Sequence, residues 1–424
     1  MKRDIRLPTA PVSGALEEAF AEVQQSFERL CLAAGMEALS VMMEADVEAA
    51  CGRRHGRVEE REAHRWGSTR GRIGFHGGKV AVERPRVRVV AGGEMAIPSW
   101  DRAVSEDWLG RWAMNLMLIN VSTRRFGRAV RLPEGDVPAG HGSGVSKSAA
   151  SRRFVALSTE KLDAFMSADL SDLDLLVIQI DGLHVSDDLV LVAAIGIDAE
   201  GGKHPLALVE GATENTATVQ ALLDNLVERG LDPAVSRLFI VDGAKALSKA
   251  IRATFGKDSL IQRCQIHKAR NIMDRLPKEL HASTRRVLRQ AWELDDAAKA
   301  EKLILNLARR LDQDRPGVSA SILEGLDEIL TVVRLKLPME LRRSLACTNI
   351  AENMMGTIRR VTRNVKRWRN GKMALRWVAA GMIEAAKGFR KLKAHKQLPT
   401  LRTALIAHQD RIAAKPVAPA SRAA

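Results

Sequence analysis

Hydrophobic positions change period several times along the chain, and each change marks a different kind of element. From Gly14 to about Ala50, Leu16, Ala19, Phe20, Val23, Phe27, Leu30 and Ala34 recur every three or four residues, which predicts a helix. Around Gly77-Gly78 the period falls to two. Arg72-Ile73-Gly74-Phe75 and Lys79-Val80-Ala81-Val82-Glu83 predict the arms of a β-hairpin. Arg84, Arg86 and Arg88 continue the second arm at alternate positions, so three guanidinium groups share one face. That face fits a polyanion, and it equally fits a charged edge strand that resists aggregation. Helical spacing returns over Ser105–Phe126, yields to a glycine-rich loop from Pro133 to Gly144, and resumes over Ser146–Phe165 behind a serine cap. Gly144-Val145-Ser146 with Ser151-Arg152-Arg153-Phe154 has the pattern of the second half of a helix-turn-helix, in which Lys147, Arg152 and Arg153 would face phosphates.

From Leu173 the pattern becomes α/β. Leu175–Ile180 is a continuous apolar run ending at Asp181; Asp188–Ile197 and Pro205–Val209 are two further β-rich runs. Asn215–Arg229 has helical spacing in Val219, Leu222, Leu223 and Leu226, and Leu238–Val241 is a short strand ending at Asp242. Strands this apolar are covered on both faces. Three strands, a helix and another strand is the opening order of an RNase H-like fold, and Leu260–Arg263 supplies a fifth strand. After Cys264 the chain reads as helix to Leu345, with breaks expected at Asn306, Pro316 and Pro338. A basic helix is predicted over Thr348–Trp368, and Lys415–Ala424 has the composition of a disordered tail. The expected division is a DNA-binding region over 1–168, a first part of the RNase H-like core over 169–270, and a helical insertion over 271–345. The rest of the core then occupies 346–395 and a tail 396–424.

Charge narrows the partner. Among 424 residues, 66 Lys and Arg stand against 51 Asp and Glu, a formal net charge of +15. Such an excess points to nucleic acid. Cys31, Cys51, Cys264 and Cys347 are scattered and form no CxxC pair, which fits a reducing compartment. Met1–Phe20 lacks the apolar core of a signal peptide, and no apolar run approaches bilayer length. The expected location is the cytoplasm, at the nucleoid, with no membrane partner.

Asp181 and Asp242 each end an apolar strand, where a sheet presents its site to ligand. Phosphoryl transfer between DNA strands uses two hard cations on oxygen ligands, and substrate phosphates and water complete their shells. A few protein carboxylates therefore suffice. Glu352, opening the basic helix, is the candidate third. Two structural readings compete. Asn349-Ile350-Ala351-Glu352 has capping-box spacing, and Asp242-Gly243 reads as a strand-to-helix turn. Asp172, Asp174, Asp187 and Asp188 are rival acids for the first position. Downstream, Arg359, Arg360, Arg363, Lys366, Arg367 and Arg369 crowd one segment, with Glu352, Arg359, Arg363 and Arg367 near one helical face. Trp368 and Trp377 interleave with them and fit either base stacking or the core.

The stretch from Ile180 to about Glu384 resembles the Mutator-like family of bacterial insertion-sequence transposases. The resemblance is carried by Ile180-Asp181-Gly182, by Gly196, Gly201-Gly202 and Leu206-Ala207-Leu208, and by Glu214-Asn215 with Leu222-Leu223 and Arg229-Gly230-Leu231. Val241-Asp242-Gly243-Ala244 with Leu247 and Ala250-Ile251 follows. The most specific block is Gln262-Arg263-Cys264-Gln265-Ile266-His267-Lys268-Ala269-Arg270-Asn271, which carries the family's Cys-x-x-His signature. Thr348-Asn349-Ile350-Ala351-Glu352 with Ile358-Arg359-Arg360 and Thr362-Arg363 is similar to its glutamate block. Asn353, where many members have arginine, Ala246, where many have glycine, and His184, where an aromatic is frequent, depart from the pattern.

The resemblance implies a DDE transposase. Asp181, Asp242 and Glu352 would hold two Mg²⁺ or Mn²⁺ ions, and the partners would be double-stranded DNA, as terminal inverted repeats and target, and further copies of the chain. It also implies that Asn271–Leu345 is an insertion holding DNA near the site; Arg285, Arg286 and Arg289 give one of its helices a basic face, which equally fits an ordinary solvated helix face. Cys264 and His267 supply two ligands where structural zinc wants four. They are read as a joint between sheet and insertion, with His267 and Arg270 near DNA. Two alternatives stand beside the transposase: an RNase H-like nuclease without strand transfer, and an inactive DNA-binding remnant.

Overall fold

The computed structural model describes residues 34–54, 56, 62–75, 78–105, 108–118, 147–186, 189–211 and 215–414. It forms two compact units, Met1–Leu157 and Ser158–Ala424.

In the first unit, helix α1 (34–51) is followed by β1 (Ala63–Phe75), β2 (Gly78–Val89), β3 (Glu94–Met95), α2 (Pro98–Ser105) and α3 (Trp108–Leu118). The hairpin forms where the alternation predicts it, with Phe75 opposite Gly78. Met43, Val47, Val82, Val87, Ile97 and Trp100 make its core. The Trp100 ring lies over Gly71, where a Cβ would stand 2.0 Å from it.

The arginine face of β2 is largely committed within this unit. Arg84 and Arg86 both reach Glu94, at 2.7 and 3.0 Å, and Arg88 stacks on Trp66 at 4.7 Å. β2 lies between β1 and β3, but β3 pairs with it only at Val87 and Arg88, so the edge-strand reading is overturned at Arg88 and not at Arg84 or Arg86. Of the helix expected over Ser105–Phe126, the described residues are Ser105, the last of α2, and Trp108–Leu118, which form α3; 106–107 and 119–126 lie outside the described residues. Residues 14–33 of the first predicted helix, the turn residue Gly77, the 133–144 loop, the Gly144-Val145-Ser146 turn, Cys31 and the 415–424 tail lie outside the described residues. Helix α4 (Lys147–Ser167) carries the boundary between the units; Arg152 is exposed, Arg153 half-buried and Phe154 buried, while the Lys147 side chain lies outside the description.

The second unit is built on a five-stranded mixed sheet. Its strands are β4 (Leu175–Ser186), β5 (Leu189–Asp198), β6 (Lys203–Glu210), β7 (Leu238–Val241) and β8 (Leu260–Arg263), in the order β6-β5-β4-β7-β8. The first three form an antiparallel meander, and β7 and β8 run parallel to β4. Helices α5 (Thr216–Glu228) and α6 (Lys245–Phe255) make the crossovers. The Asn215 side chain caps α5 by accepting from Ala217 N–H at 3.0 Å. Alternation along the strands sorts the two faces. Ile178, Ile180, Phe239 and Val241 pack with Val219, Leu222, Leu247 and Ile251 of the crossover helices. Val177, Leu183, Leu238 and Ile240 pack on the other face against Met354, Ile358, Val378 and Met382. Burial on both faces is why these strands read as continuous apolar runs.

Between β8 and the second-face helices lies a helical segment: α7 (Gln265–Met273), α8 (Lys278–Glu293), α9 (Ala297–Asp314), α10 (Val318–Leu323), α11 (Leu326–Ile329), α12 (Thr331–Arg334) and α13 (Met339–Leu345). It has its own core in Ile272, Leu288, Ile304, Leu307, Leu311 and Ile322. Breaks fall at Pro316 and Pro338 as expected, but Asn306 lies inside α9. Asn306 is exposed, so its weak helix preference is overridden by the buried Ile304, Leu307, Ala308 and Leu311 around it.

Helix α14 (Asn349–Thr362) is shorter than the predicted Thr348–Trp368. Asn370 caps α15 (Gly371–Ala386) by accepting from Met373 N–H at 2.9 Å. Trp377 is buried in the core, and Trp368 is partly buried against it. A last helix, α16 (Leu398–Ala413), covers the same face. Among the described residues no helix is long and apolar enough to cross a membrane.

Buried polar groups fasten the helical segment to the sheet edge. The Gln262 amide donates to Arg263 O at 2.7 Å and Ile329 O at 2.9 Å, and accepts from Val332 N–H at 3.0 Å. The Thr331 hydroxyl donates to Ile261 O at 2.6 Å, and the buried Lys268 ammonium to Glu324 O at 2.6 Å. Burial, then neighbouring Arg263, pushes the Lys268 pKa down to about 8. Gln262→Leu keeps the volume but strands buried backbone groups, each worth about 1–3 kcal/mol. The unit should lose about 3 kcal/mol in urea unfolding; a change in midpoint too small to resolve would show the fastening to be incidental.

Candidate active site

The parallel ladder between β4 and β7 closes with Ile180 opposite Val241, and the next residue on each strand is an aspartate. Alternation places Asp181 and Asp242 on the face that α14 covers, because Val177, Leu183, Leu238 and Ile240 all belong to that face. Asp181 is not the end of its strand. β4 runs on to Ser186, with Asp181 opposite Ala193 of β5; only the parallel pairing stops at Ile180. The carboxylate is therefore walled in, 8% exposed, and accepts from Gly182 N–H at 2.9 Å.

Asp242 follows β7 directly, and its Oδ1 accepts from Ala244 N–H at 2.8 Å. The turn reading of Asp242-Gly243 is thus true as well, and it serves the site. Gly243, at φ 105°, lets the Arg263 guanidinium pass where a Cβ would stand 1.9 Å from Nε. Of the rival acids, Asp172 and Asp174 precede the other end of β4, and Asp174 is paired with Arg402. Asp187 and Asp188 lie outside the described residues.

Glu352 does not form the capping box. The cap of α14 is Thr348, one residue earlier than the spacing suggests, and no side chain caps it. Glu352 is exposed, and its Oε1 stands 4.0 Å from His267 Nε2. The Thr348 hydroxyl is buried between the Cys264 sulfur, 3.7 Å away, and the Asp181 carboxylate.

His267 is where these groups converge. It projects from the first turn of α7, and Cys264 is that helix's cap. Cys264 N–H donates to Val241 O at 2.7 Å and Gln265 N–H to Ala346 O at 2.9 Å, tying the motif to β7 and to the approach to α14. The Cys264 sulfur raises the His267 pKa despite the ring's burial, and Asp181 and Asp242 add to it. Burial pushes the Cys264 thiol up, but the facing imidazole outweighs it, leaving the thiol below its ordinary value. Hydrogen bonding between the two side chains, ahead of their charges, couples them, although the ring's buried Nδ1 has no hydrogen bond of sound geometry. Asp181 is pushed up to about 6, first by burial and then by Asp242. Burial likewise lifts the Cys347 thiol to about 11.

The structure thus gathers Asp181, Asp242 and Glu352 around His267. Among the described residues no three acidic, histidine or cysteine side chains are arranged to hold a metal ion as they stand. Cys264 and His267 offer two ligands and face carboxylates, not a second Cys/His pair. Protein purified without a histidine tag should contain no stoichiometric zinc by elemental analysis; zinc that disappears in Cys264→Ser would overturn this.

Of the basic candidates, Arg270, Arg359, Arg360, Arg363 and Arg367 are all exposed. Arg359 shares the solvent face of α14 with Glu352, opposite the buried Ile350, Met354, Ile358 and Val361. Arg363 is the helix's last cap, and Arg367 lies beyond it, so the common helical face does not extend to Arg367. Sequence reasoning missed Gln179, Gln262, Lys268 and Thr348. Gln179, a buried polar residue in an apolar strand, donates to Cys347 O at 3.0 Å and so helps to seat the start of α14. A lone amide in such a run was the available signal.

Comparison with known proteins bears on what this site is for. The model of a family described as "Transposase, Mutator family" matches residues 14–391. The chain is 29% identical over 283 residues to the transposase for insertion sequence element IS6120 of Mycolicibacterium smegmatis, covering 65% of this chain and 85% of that protein. It is 25% identical over 370 residues to the transposase for ISRM5 of Rhizobium meliloti, covering 85% and 89%. A third relative, the transposase for IS1081 of Mycobacterium tuberculosis, is 26% identical over 367 residues, covering 82% of each.

Proposed function

The chain belongs to the Mutator family of transposases, and from that premise we propose that it cuts DNA at terminal inverted repeats and joins the freed 3′ ends to target DNA, with Asp181, Asp242 and Glu352 as its catalytic carboxylates. The observation that carries this reading is the pair of aspartates side by side at the close of the β4–β7 parallel ladder, with Glu352 approaching from α14 through His267. The strand order and the helical segment before α14 favour an RNase H-like core with an insertion.

The donors fit a hard divalent cation. Two neighbouring carboxylates, one raised to about 6 by burial and by the other, form a site whose charge calls for a cation. Mg²⁺ needs only one or two carboxylates when phosphates and water complete its shell. Such ions would activate the attacking hydroxyl and stabilise the departing oxygen. The protein's own residues do the rest. Gly182 N–H and Thr348 orient Asp181, and the Ala244 N–H orients Asp242. His267 holds Glu352 toward the aspartates, and the exposed Arg359, Arg360 and Arg363 attract the DNA backbone. Recognition of the terminal repeats is assigned to residues 1–168, including Lys147, Arg152 and Arg153, and joining to an assembly of more than one copy.

The test supplies Mg²⁺ and a labelled duplex ending in the element's terminal repeat. Joined products are expected. Products that are only cut would make the chain a nuclease, and binding without chemistry would make it a remnant.

A further inference from the structure

A groove of about 440 Å³ runs between α8 and α7, the helix that carries His267. Ile266, Arg270, His281, Arg285, Arg289 and Trp292 line it. Ile266, in its lining, is the residue before His267 on α7. Its floor and rim differ in chemistry. Ile266 is 40% exposed, an unusual state for isoleucine, and Met273, Leu288 and Trp292 extend the apolar surface. Trp292 also lines a smaller cavity beyond the groove.

The rim is basic and unneutralised. Arg270, Arg285 and Arg289 are exposed, and among the described residues none forms an ion pair, although Asp274 shares the rim. Arg285 and Arg289 are one helical turn apart, where like charges repel. An anion between them removes that repulsion. Arg286, adjacent in sequence and equally exposed, does not line the groove.

An apolar floor able to take a base face, rimmed by arginines for the backbone, is the chemistry of single-strand recognition. The volume is that of a small-molecule site, enough for a nucleotide and too little for a duplex. We propose that this groove seats one unpaired nucleotide of the DNA strand next to the reacting phosphate, with its base against Ile266 and Trp292 and its phosphates on Arg270, Arg285 and Arg289. The proposal rests on the transposase reading and adds that the DNA end is locally unpaired on the protein.

The experiment uses the full chain in EDTA, so that no chemistry intervenes, and terminal-repeat duplexes carrying 2-aminopurine at successive positions around the cleavage point. One position should brighten on binding, reporting an unstacked base. Arg285→Ala/Arg289→Ala should abolish that signal, weaken binding about tenfold or more, and flatten the salt dependence by up to about two counterions. Arg286→Ala, which removes one charge of the same helix outside the groove, should keep the signal. Trp292→Leu should lose the signal while keeping the salt slope. The proposal falls alone if the wild type joins DNA in Mg²⁺ yet no position brightens, or if Arg286→Ala quenches as fully as the double variant. If the wild type neither binds nor joins terminal-repeat DNA, the transposase reading falls with it.

Discussion

Asp181→Asn should give a protein that is more stable without metal and does not join DNA. The two effects have one cause. Asp181 is pulled up to about 6 in the folded state, from an ordinary value of 3.8, by burial and by Asp242. The folded state therefore binds the proton more tightly than the unfolded one, and stability contributed by this group falls as pH rises from about 4 to about 6. Above that window the folded protein bears the full cost of the buried charge, about 3 kcal/mol at 1.36 kcal/mol per pKa unit. Below pH 4 the carboxyl is neutral in both states and the cost vanishes. Asparagine keeps an oxygen for the Gly182 N–H and removes the charge. In EDTA at pH 7.5 the variant should melt several degrees above wild type, and the gap should close toward pH 4. Millimolar Mg²⁺ should raise the wild-type melting temperature and leave the variant unmoved. Joining should drop by about a hundred- to a thousandfold. A variant less stable than wild type in EDTA at pH 7.5 would show that Asp181 is held by structural bonds and not poised for a cation.

Much of this site was legible because the sheet's period is strict. In β4, Gln179 and Asp181 fall on one face and Ile178 and Ile180 on the other, and the same parity in β7 carries Asp242 to the side of Asp181. Apolar runs followed at once by an aspartate, as in β4 and β7, are thus visible in one dimension. Helix ends are not, since they depend on single caps. The segment predicted to run to Trp368 stops at Thr362, with Arg363 as its cap, and Thr348, with no side-chain bond of its own to the helix, takes the cap position that spacing gives to Asn349. That one-residue shift removes the capping-box reading of Glu352. The end of β4 was misjudged for a related reason. His184 and Ser186 are too polar to extend an apolar run, yet β5 supplies backbone partners for them. Facing was the other gap: Arg285, Arg286 and Arg289 look alike in sequence, and only packing against α7 separates the two that share a groove.

Glu352→Gln separates a catalytic carboxylate from a structural one most sharply. Glutamine has the size and helix preference of glutamate and can still accept a hydrogen bond, but it carries no charge for a cation. If Glu352 served the helix, its loss would cost stability on the scale of a cap, about 1 kcal/mol. The structure gives it no such role, because Thr348 is the cap and the Glu352 side chain bonds no backbone N–H there. Among the described residues its ion-pair partner is His267, at 4.0 Å, in a half-exposed pair of small energetic weight. Thermal unfolding in EDTA should therefore match wild type within about 0.5 kcal/mol, as for an ordinary surface substitution. Binding to terminal-repeat DNA should also be retained, since no phosphate contact is removed. Cleavage and joining should fall by about a hundred- to a thousandfold, like those of Asp181→Asn. The contrast between the two variants is diagnostic, because both lose chemistry while only the buried acid gains stability. Near-normal joining by Glu352→Gln would remove Glu352 from the catalytic set and send the search for the third acid elsewhere.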